Sequence, residues 1–339
     1  MFDSDNILSK RWEESAMKRK PAFSNLHITR IRRKKPVAKI TATIAIILAV
    51  LFIVFFSAIP PIIMKDMIRL HVNVREISPE QFDLKAEEVQ LTTEDGFRLV
   101  SWEVKAENPR GIVVFLSGIH NPSVTAFFGH ARMMADNGFS SLLIEMRSHG
   151  RSEGNKIYVG TREYLDTKAG VEYILTQPAY KDLPIVVFGV SMGGATAINS
   201  IGEIPDIDGL ISVSAFSSWE DAFCDNMTNM GIPPVITKIQ KPFVRLYMGI
   251  EYGFDSLKIN PLNEVKKLNG RPALLMHSTR DSQVPYSSFE RLKEAAPGQF
   301  ETFVREGDYH FLCRDESFDE PWTDDEYAEA IISFLGKHF

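Results

Sequence analysis

Cysteine is nearly missing from this 339-residue chain, with Cys224 and Cys313 as the whole complement. Two thiols so far apart make no disulfide framework, so the fold must be held by a core, and both read as buried thiols. Metal-binding signatures are missing too. No His-Glu-x-x-His and no spaced Cys/His cluster occurs, so the reading contains no metal and no cofactor. Positive charge is scarce beyond the N-terminus: eleven Lys and Arg face four acids in residues 1–39, yet the whole chain carries a formal charge of −6. The remainder is therefore acidic, which argues against nucleic acid as a partner, since phosphate binding needs clustered cations. Internal repeats and low-complexity segments are absent, and nothing in the sequence speaks to oligomeric state. What is present is globular composition, 44% apolar and 24% charged, with length enough for one large domain and an appendage.

Residues 40–64 lack any charged side chain, and residues 40–59 are almost wholly apolar. Twenty helical residues cover about 30 Å, the hydrocarbon thickness of a bilayer. The long polar segment ahead of the run, the length of the run itself, and Pro60-Pro61 where a small-residue cleavage site would be wanted favour an uncleaved transmembrane helix over a signal peptide. Arg30, Arg32, Arg33, Lys34 and Lys35 crowd just before it. Residues 1–39 are thus expected to be a cytoplasmic tail, and everything after about Lys65 to lie outside the cytoplasm. Residues 65–85 read as a connector that holds a folded domain, residues 86–339, near the membrane surface.

Within that domain the pattern alternates. Residues 88–106 read as a hairpin turning at Glu94-Asp95-Gly96. Buried strands are read over residues 111–116 and 185–188, and further strands over 141–145, 209–215, 271–277 and 301–305. Helices are expected over residues 125–137, 162–175, 287–295 and 324–335, with another starting at Ala195. Such alternation means an α/β fold, a mostly parallel sheet covered on both faces. Residues 218–268 interrupt it with an insertion rich in aromatics and methionines, placed where ligands bind in open α/β sheets, and are read as a lid. The sequon Asn226-Met227-Thr228 lies inside this insertion.

The chemistry centres on one serine. Gly189-Val190-Ser191-Met192-Gly193 stands between a buried strand and a helix start, the setting of a nucleophile elbow, in which a sharp turn lifts the hydroxyl above the sheet. A serine hydroxyl needs a base within hydrogen-bond reach, and the base needs a group to orient it. His310, after the last strand, is the expected base. Asp281, after the strand 271–277, is the expected acid, with Glu220 or Asp221 as alternatives after the preceding strand. His120 and His149 precede the serine and are expected to be structural or pocket residues. The oxyanion needs preorganised donors, best supplied by the backbone N–H of Met192 at the helix start and of Ile119 in the loop after the strand 111–116.

With Gly189-Val190-Ser191-Met192-Gly193-Gly194, Ser117-Gly118-Ile119, Arg147-Ser148-His149-Gly150-Arg151-Ser152-Glu153-Gly154, and Asp281-Ser282-Gln283-Val284-Pro285 followed by His310, the chain resembles the α/β-hydrolase superfamily, in its serine aminopeptidase or lysophospholipase-like branch. The likeness covers about residues 86–339. It implies Ser191 as nucleophile, Asp281 as acid, His310 as base, and Ile119 and Met192 as the oxyanion hole. Two departures stand out: Ser117 where histidine commonly precedes the glycine, and Ser278 where glycine commonly follows His277. The expected activity is hydrolysis of a small-molecule or lipid-like acyl ester by a membrane-anchored serine hydrolase. Peptidase, amidase and acyltransferase activities share the same triad, and a non-catalytic binding protein with this fold is the reading from a different class.

Overall fold

The computed structural model describes residues 35–120, 122–314 and 319–339. The basic tail expected over residues 1–39 therefore lies, up to residue 34, outside the described residues. The first element, α1, is a 34-residue helix over Lys35–Ile68. The chain divides into two compact units, Met1–Ile53 and Val54–Phe339. In the first unit the apolar side chains of α1, among them Ile40, Ile44, Ile47, Leu51 and Phe52, are exposed on every face. A helix apolar all round and long enough to span is one that a bilayer would cover.

The second unit begins inside α1, and here the structure departs from the expected boundaries. The transmembrane helix was expected to end at residue 64, residues 65–85 to be a connector, and the domain to open at residue 86. Instead α1 runs through both prolines to Ile68, and Met64 and Ile68 are fully buried in the domain's core. Proline has no N–H, so Pro60 leaves the carbonyl of Phe56 without its helical donor. Gln240 Nε2 supplies that donor at 3.0 Å from 184 residues further along the chain. After α1, Ile157 N–H donates to the Ile68 carbonyl, Val72 N–H to Ser148 O, and Gly150 N–H to Val72 O, at 2.7–2.9 Å. The supposed connector is stitched into the domain.

The remaining elements are β1 (Ala86–Thr92), β2 (Arg98–Val104), β3 (Gly111–Leu116), α2 (Phe128–Asp136), β4 (Phe139–Ile144), α3 (Tyr164–Thr176), β5 (Ile185–Val190), α4 (Met192–Glu203), β6 (Gly209–Val213), α5 (Trp219–Asn229), α6 (Pro234–Tyr252), α7 (Pro261–Glu264), β7 (Ala273–Ser278), α8 (Ser287–Ala295), β8 (Glu301–Arg305) and α9 (Asp325–His338). Among the described residues the strands form one eight-stranded sheet in the order β1-β2-β4-β3-β5-β6-β7-β8. β1 and β2 pair antiparallel, and β2 joins β4 antiparallel. From β4 across to β8 every pairing is parallel.

Because side chains alternate along a strand, the sheet divides the core in two. Ile112, Val114 and Leu116 of β3 point to the face that packs Ala195, Ile198 and Ile201 of α4, together with Met64 and Ile68. Val113 and Phe115 point to the other, with Phe188, Phe127, Ile331 and Leu335. Both faces are covered, which is why the central strands are buried along their whole length. The insertion folds as α5, α6 and α7. On α6, Val235, Ile239, Leu246 and Ile250 form an exposed apolar stripe, and Phe243 stacks on Phe56 with ring centroids 5.6 Å apart.

If residues from 54 onward are part of the domain core, truncating Met64 or Ile68 to Ala should cost about 2–5 kcal/mol. Ile62→Ala, at a side chain 74% exposed, should stay within about 0.5 kcal/mol of the parent. Thermal unfolding of the full chain in detergent checks this; equal effects at the three positions would contradict it.

Candidate active site

The chain reverses its direction of travel across the sheet between β3 and β5: β4 lies on one side of β3, and β5 to β8 lie on the other. At such a switch point the loops leaving neighbouring strands diverge and open a crevice at the carboxyl end of the sheet. Ser191 follows β5 and Ile119 follows β3, so both expected halves of the chemistry fall at this crevice. Ser191 has φ 58° and ψ −119°, a sparsely populated conformation for a residue with a Cβ. It is held by its N–H bond to Val213 O at 2.9 Å and by Ala195 N–H donating to its carbonyl at 3.0 Å. The side chain makes no capping hydrogen bond to α4, which leaves the hydroxyl available.

The flanking glycines are required by contact. A Cβ on Gly193 would lie 2.3 Å from Leu116 O and 2.4 Å from Ser117 O, and one on Gly189 would lie 2.0 Å from Gly193 O. The first turn of α4 is therefore pressed against the end of β3. The N–H of Met192 lies in the first turn of a helix, where no intrahelical acceptor exists and the helix dipole favours negative charge.

Asp281 and His310, 29 residues apart, meet: His310 Nδ1 lies 2.9 and 3.0 Å from the two Asp281 oxygens. Because an ionised carboxylate only accepts, Nδ1 carries the proton, leaving Nε2 as the basic nitrogen. Gln283 and Val284 N–H both donate to Asp281 Oδ1 at 2.9 Å. Burial alone would push the Asp281 carboxyl up, but the His310 hydrogen bond and charge and the Val284 N–H outweigh it and hold the group below its ordinary value. The other acids are engaged elsewhere: Glu220 pairs with Arg245 at 2.8 Å, and Asp221 accepts from Ser218 at 2.8 Å and pairs with Lys241. No hydrogen bond joins Ser191 Oγ to His310 in this structure; such bonds are often open until substrate is bound.

His120 and His149 brace the loop after β3. His120 Nε2 donates to the Met67 carbonyl at 2.8 Å, and His149 Nε2 bonds to the Ile119 carbonyl. The loop carrying His149 is anchored by Arg147, fully buried, whose Nε donates to Asp166 at 2.8 Å and whose terminal nitrogens reach Asp95 at 2.6 and 2.9 Å.

A cavity of about 240 Å³ adjoins Ser191, Met192 and Ile119. Phe216, Trp219, Phe223 and Met227 supply much of its wall, and Ile63 and Met67 of α1 complete it. Neither His310 nor Asp281 lines it. The α1 residues carried no signal in the sequence, because an apolar run read as a span gives no reason to expect pocket residues at its end. Asn226 of the sequon also lines the cavity, and its amide donates to the Ala222 and Gln283 carbonyls at 2.9 and 3.0 Å. Both cysteines are buried, and burial pushes the Cys224 thiol up to about 12.

A family model described as "Serine aminopeptidase, S33" matches residues 107–257. The chain is 22% identical over 222 residues to the uncharacterized protein YqkD of Bacillus subtilis, covering 64% of this chain and 70% of that one. To protein bem46 of Schizosaccharomyces pombe it is 26% identical over 218 residues, 61% of this chain and 64% of that one. To an uncharacterized membrane protein of Saccharomyces cerevisiae it is 26% identical over 235 residues, 68% and 73%. Among solved structures, an esterase of Pyrococcus furiosus superposes with a TM-score of 0.61 at 23% identity, covering 79% of this chain and 98% of that one. An acylaminoacyl peptidase of Pyrococcus horikoshii gives 0.57 at 15% identity, covering 75% and 42%.

The depressed Asp281 carboxyl has a consequence for stability. Its ionised form is favoured in the folded state, so its contribution is present above the ordinary aspartate value of 3.8 and is lost as pH falls through the lower folded value. The difference in Tm between the parent and Asp281→Asn should therefore shrink as pH is lowered below that value. A difference that stays constant with pH would show that the pairing does not act through charge.

Proposed function

The chain has the α/β-hydrolase fold, and from that premise we propose that it is a membrane-anchored serine hydrolase cleaving acyl esters through an acyl-enzyme on Ser191. The observations that support the proposal are a strained elbow serine at the end of β5 beside an apolar cavity that α1 helps to line, and a carboxylate-bound imidazole in the loop after β8. Ser191 Oγ attacks the ester carbonyl while His310 Nε2 takes its proton. The Ile119 and Met192 N–H groups hold the oxyanion, a role typically worth about 10²- to 10³-fold per donor. As the tetrahedral intermediate collapses, the C–O bond to the leaving alcohol breaks and His310 returns the proton to it. Water, deprotonated by the same imidazole, then attacks the acyl-enzyme and releases the acid.

The cavity favours an ester with a hydrocarbon acyl group over a peptide. An aminopeptidase must hold its substrate's terminal ammonium, and the described residues that line this cavity include no Asp or Glu. Its volume also lies below the range of about 300–1,000 Å³ usual for drug-sized ligands, which suits a single acyl chain. α1, apolar enough to cross a membrane, serves in this reading as the anchor, with the domain outside the cytoplasm.

Hydrolysis of p-nitrophenyl esters by the full chain tests the chemistry. Ser191→Ala should abolish turnover and fluorophosphonate labelling, and Asp281→Asn should lower kcat by about 10⁴-fold. Equal labelling of the parent and Ser191→Ala would overturn the assignment. Orientation is read separately with Glu107→Cys, at an exposed position, against native cysteines that are both buried. A membrane-impermeant maleimide should label it in intact cells; labelling only after lysis would reverse the topology.

A further inference from the structure

We propose that the last turns of α1 are a wall of the substrate cavity and that Ile63 and Met67 select the acyl chain; this rests on the ester-hydrolase reading above. The two residues stand four apart, one above the other on the same helix face, and both line the cavity that holds Ser191, Met192 and Ile119. Their neighbours fix them there. Met64 and Ile68 are fully buried in the core, so α1 cannot roll to turn Ile63 and Met67 away without exposing both.

The helix is also pinned along its length. Gln240 donates to the carbonyl that Pro60 orphans, Phe243 stacks on Phe56, and Arg69 pairs with Glu251 at the end of α6. Met67 acts twice, since its side chain lines the cavity while its carbonyl accepts from His120, the residue next to Ile119. A segment read as a membrane anchor thus holds the loop that offers an oxyanion donor.

The exposure gradient gives the cavity a direction. Met67 is half-buried, whereas Ile63 is 53% and Met230 81% exposed. These two apolar side chains form the mouth. A polar headgroup finds no charged partner among the described residues lining this mouth. A hydrocarbon tail lying along α1 in the apolar layer would pass Ile63, then Met67, and bring its ester to Ser191 without exposing itself to water.

The test is kcat/KM across p-nitrophenyl esters from acetate to dodecanoate, on the full chain in detergent, for the parent, Ile63→Trp, Met67→Ala, Ile62→Trp and Ser191→Ala. Ile63→Trp should lower values for octanoate and longer esters by about 10-fold or more while changing acetate less than about twofold, within what small changes in an apolar pocket deliver. Met67→Ala should move the optimum toward longer or bulkier chains. Ile62→Trp, outside the cavity, should leave the profile unchanged. Melting temperatures separate loss of folding from loss of selectivity, and Met67→Ala keeps the test alive if the tryptophan variant does not fold. A Ser191-dependent activity whose chain-length profile is the same in Ile63→Trp and Met67→Ala overturns this inference alone, as does a parent that cleaves acetate and nothing longer. Hydrolysis that survives in Ser191→Ala overturns the underlying reading as well.

Discussion

The site depends on how closely two stretches of backbone approach. The first turn of α4 lies so near the end of β3 that a single methyl carbon on Gly193 would overlap two carbonyl oxygens. That contact brings the helix start, with its unsatisfied N–H groups, beside the loop that contains Ile119. It also forces Ser191 into a positive-φ conformation, a strain of order 1–3 kcal/mol that persists only where surrounding structure over-determines it. Here the strand hydrogen bond to Val213 and the helical bond from Ala195 do so. The serine is thereby held out of the helix and over the sheet, with its side chain uncommitted.

A second layer holds the loop that faces it. Arg147 is buried between Asp166 and Asp95, and removing one member of such a group leaves uncompensated charge in the interior. The network fixes the turn that carries His149, whose ring reaches the Ile119 carbonyl. From the other side His120 is tied to Met67. The histidines that precede the serine are thus bracing for the loop after β3. The same 147–154 turn also exchanges backbone hydrogen bonds with Val72, so the segment after α1 is part of this bracing.

α1 joins two environments in one continuous element. Its first part presents apolar side chains on every face, and its last part contributes to the core and to the cavity wall. Pro60 does not interrupt it because the carbonyl it orphans is satisfied from α6. The inserted helices therefore do more than roof the cavity: Gln240, Phe243 and Glu251 of α6 all contact α1 or the residue that follows it. The last turns of α1, the inserted helices and the loop after β3 are thus tied together beside the serine.

Local pattern alone determined much of this protein. Continuous β-branched runs marked the buried strands, α8 and β8 occupy the residues that periodicity assigned to them, and the order of serine, aspartate and histidine at strand ends was legible because a parallel sheet gathers its carboxyl-terminal loops on one edge. The tertiary structure decided what no local window contains. It carried α1 past Pro60, because the donor that replaces the missing N–H lies 184 residues away. It made residues read as a connector part of the core and the end of a long apolar helix part of a pocket wall, because burial depends on which surfaces meet. It also joined His310 to Asp281 without a hydrogen bond from the serine hydroxyl to His310, because side-chain geometry is set by packing, to which spacing in sequence is blind.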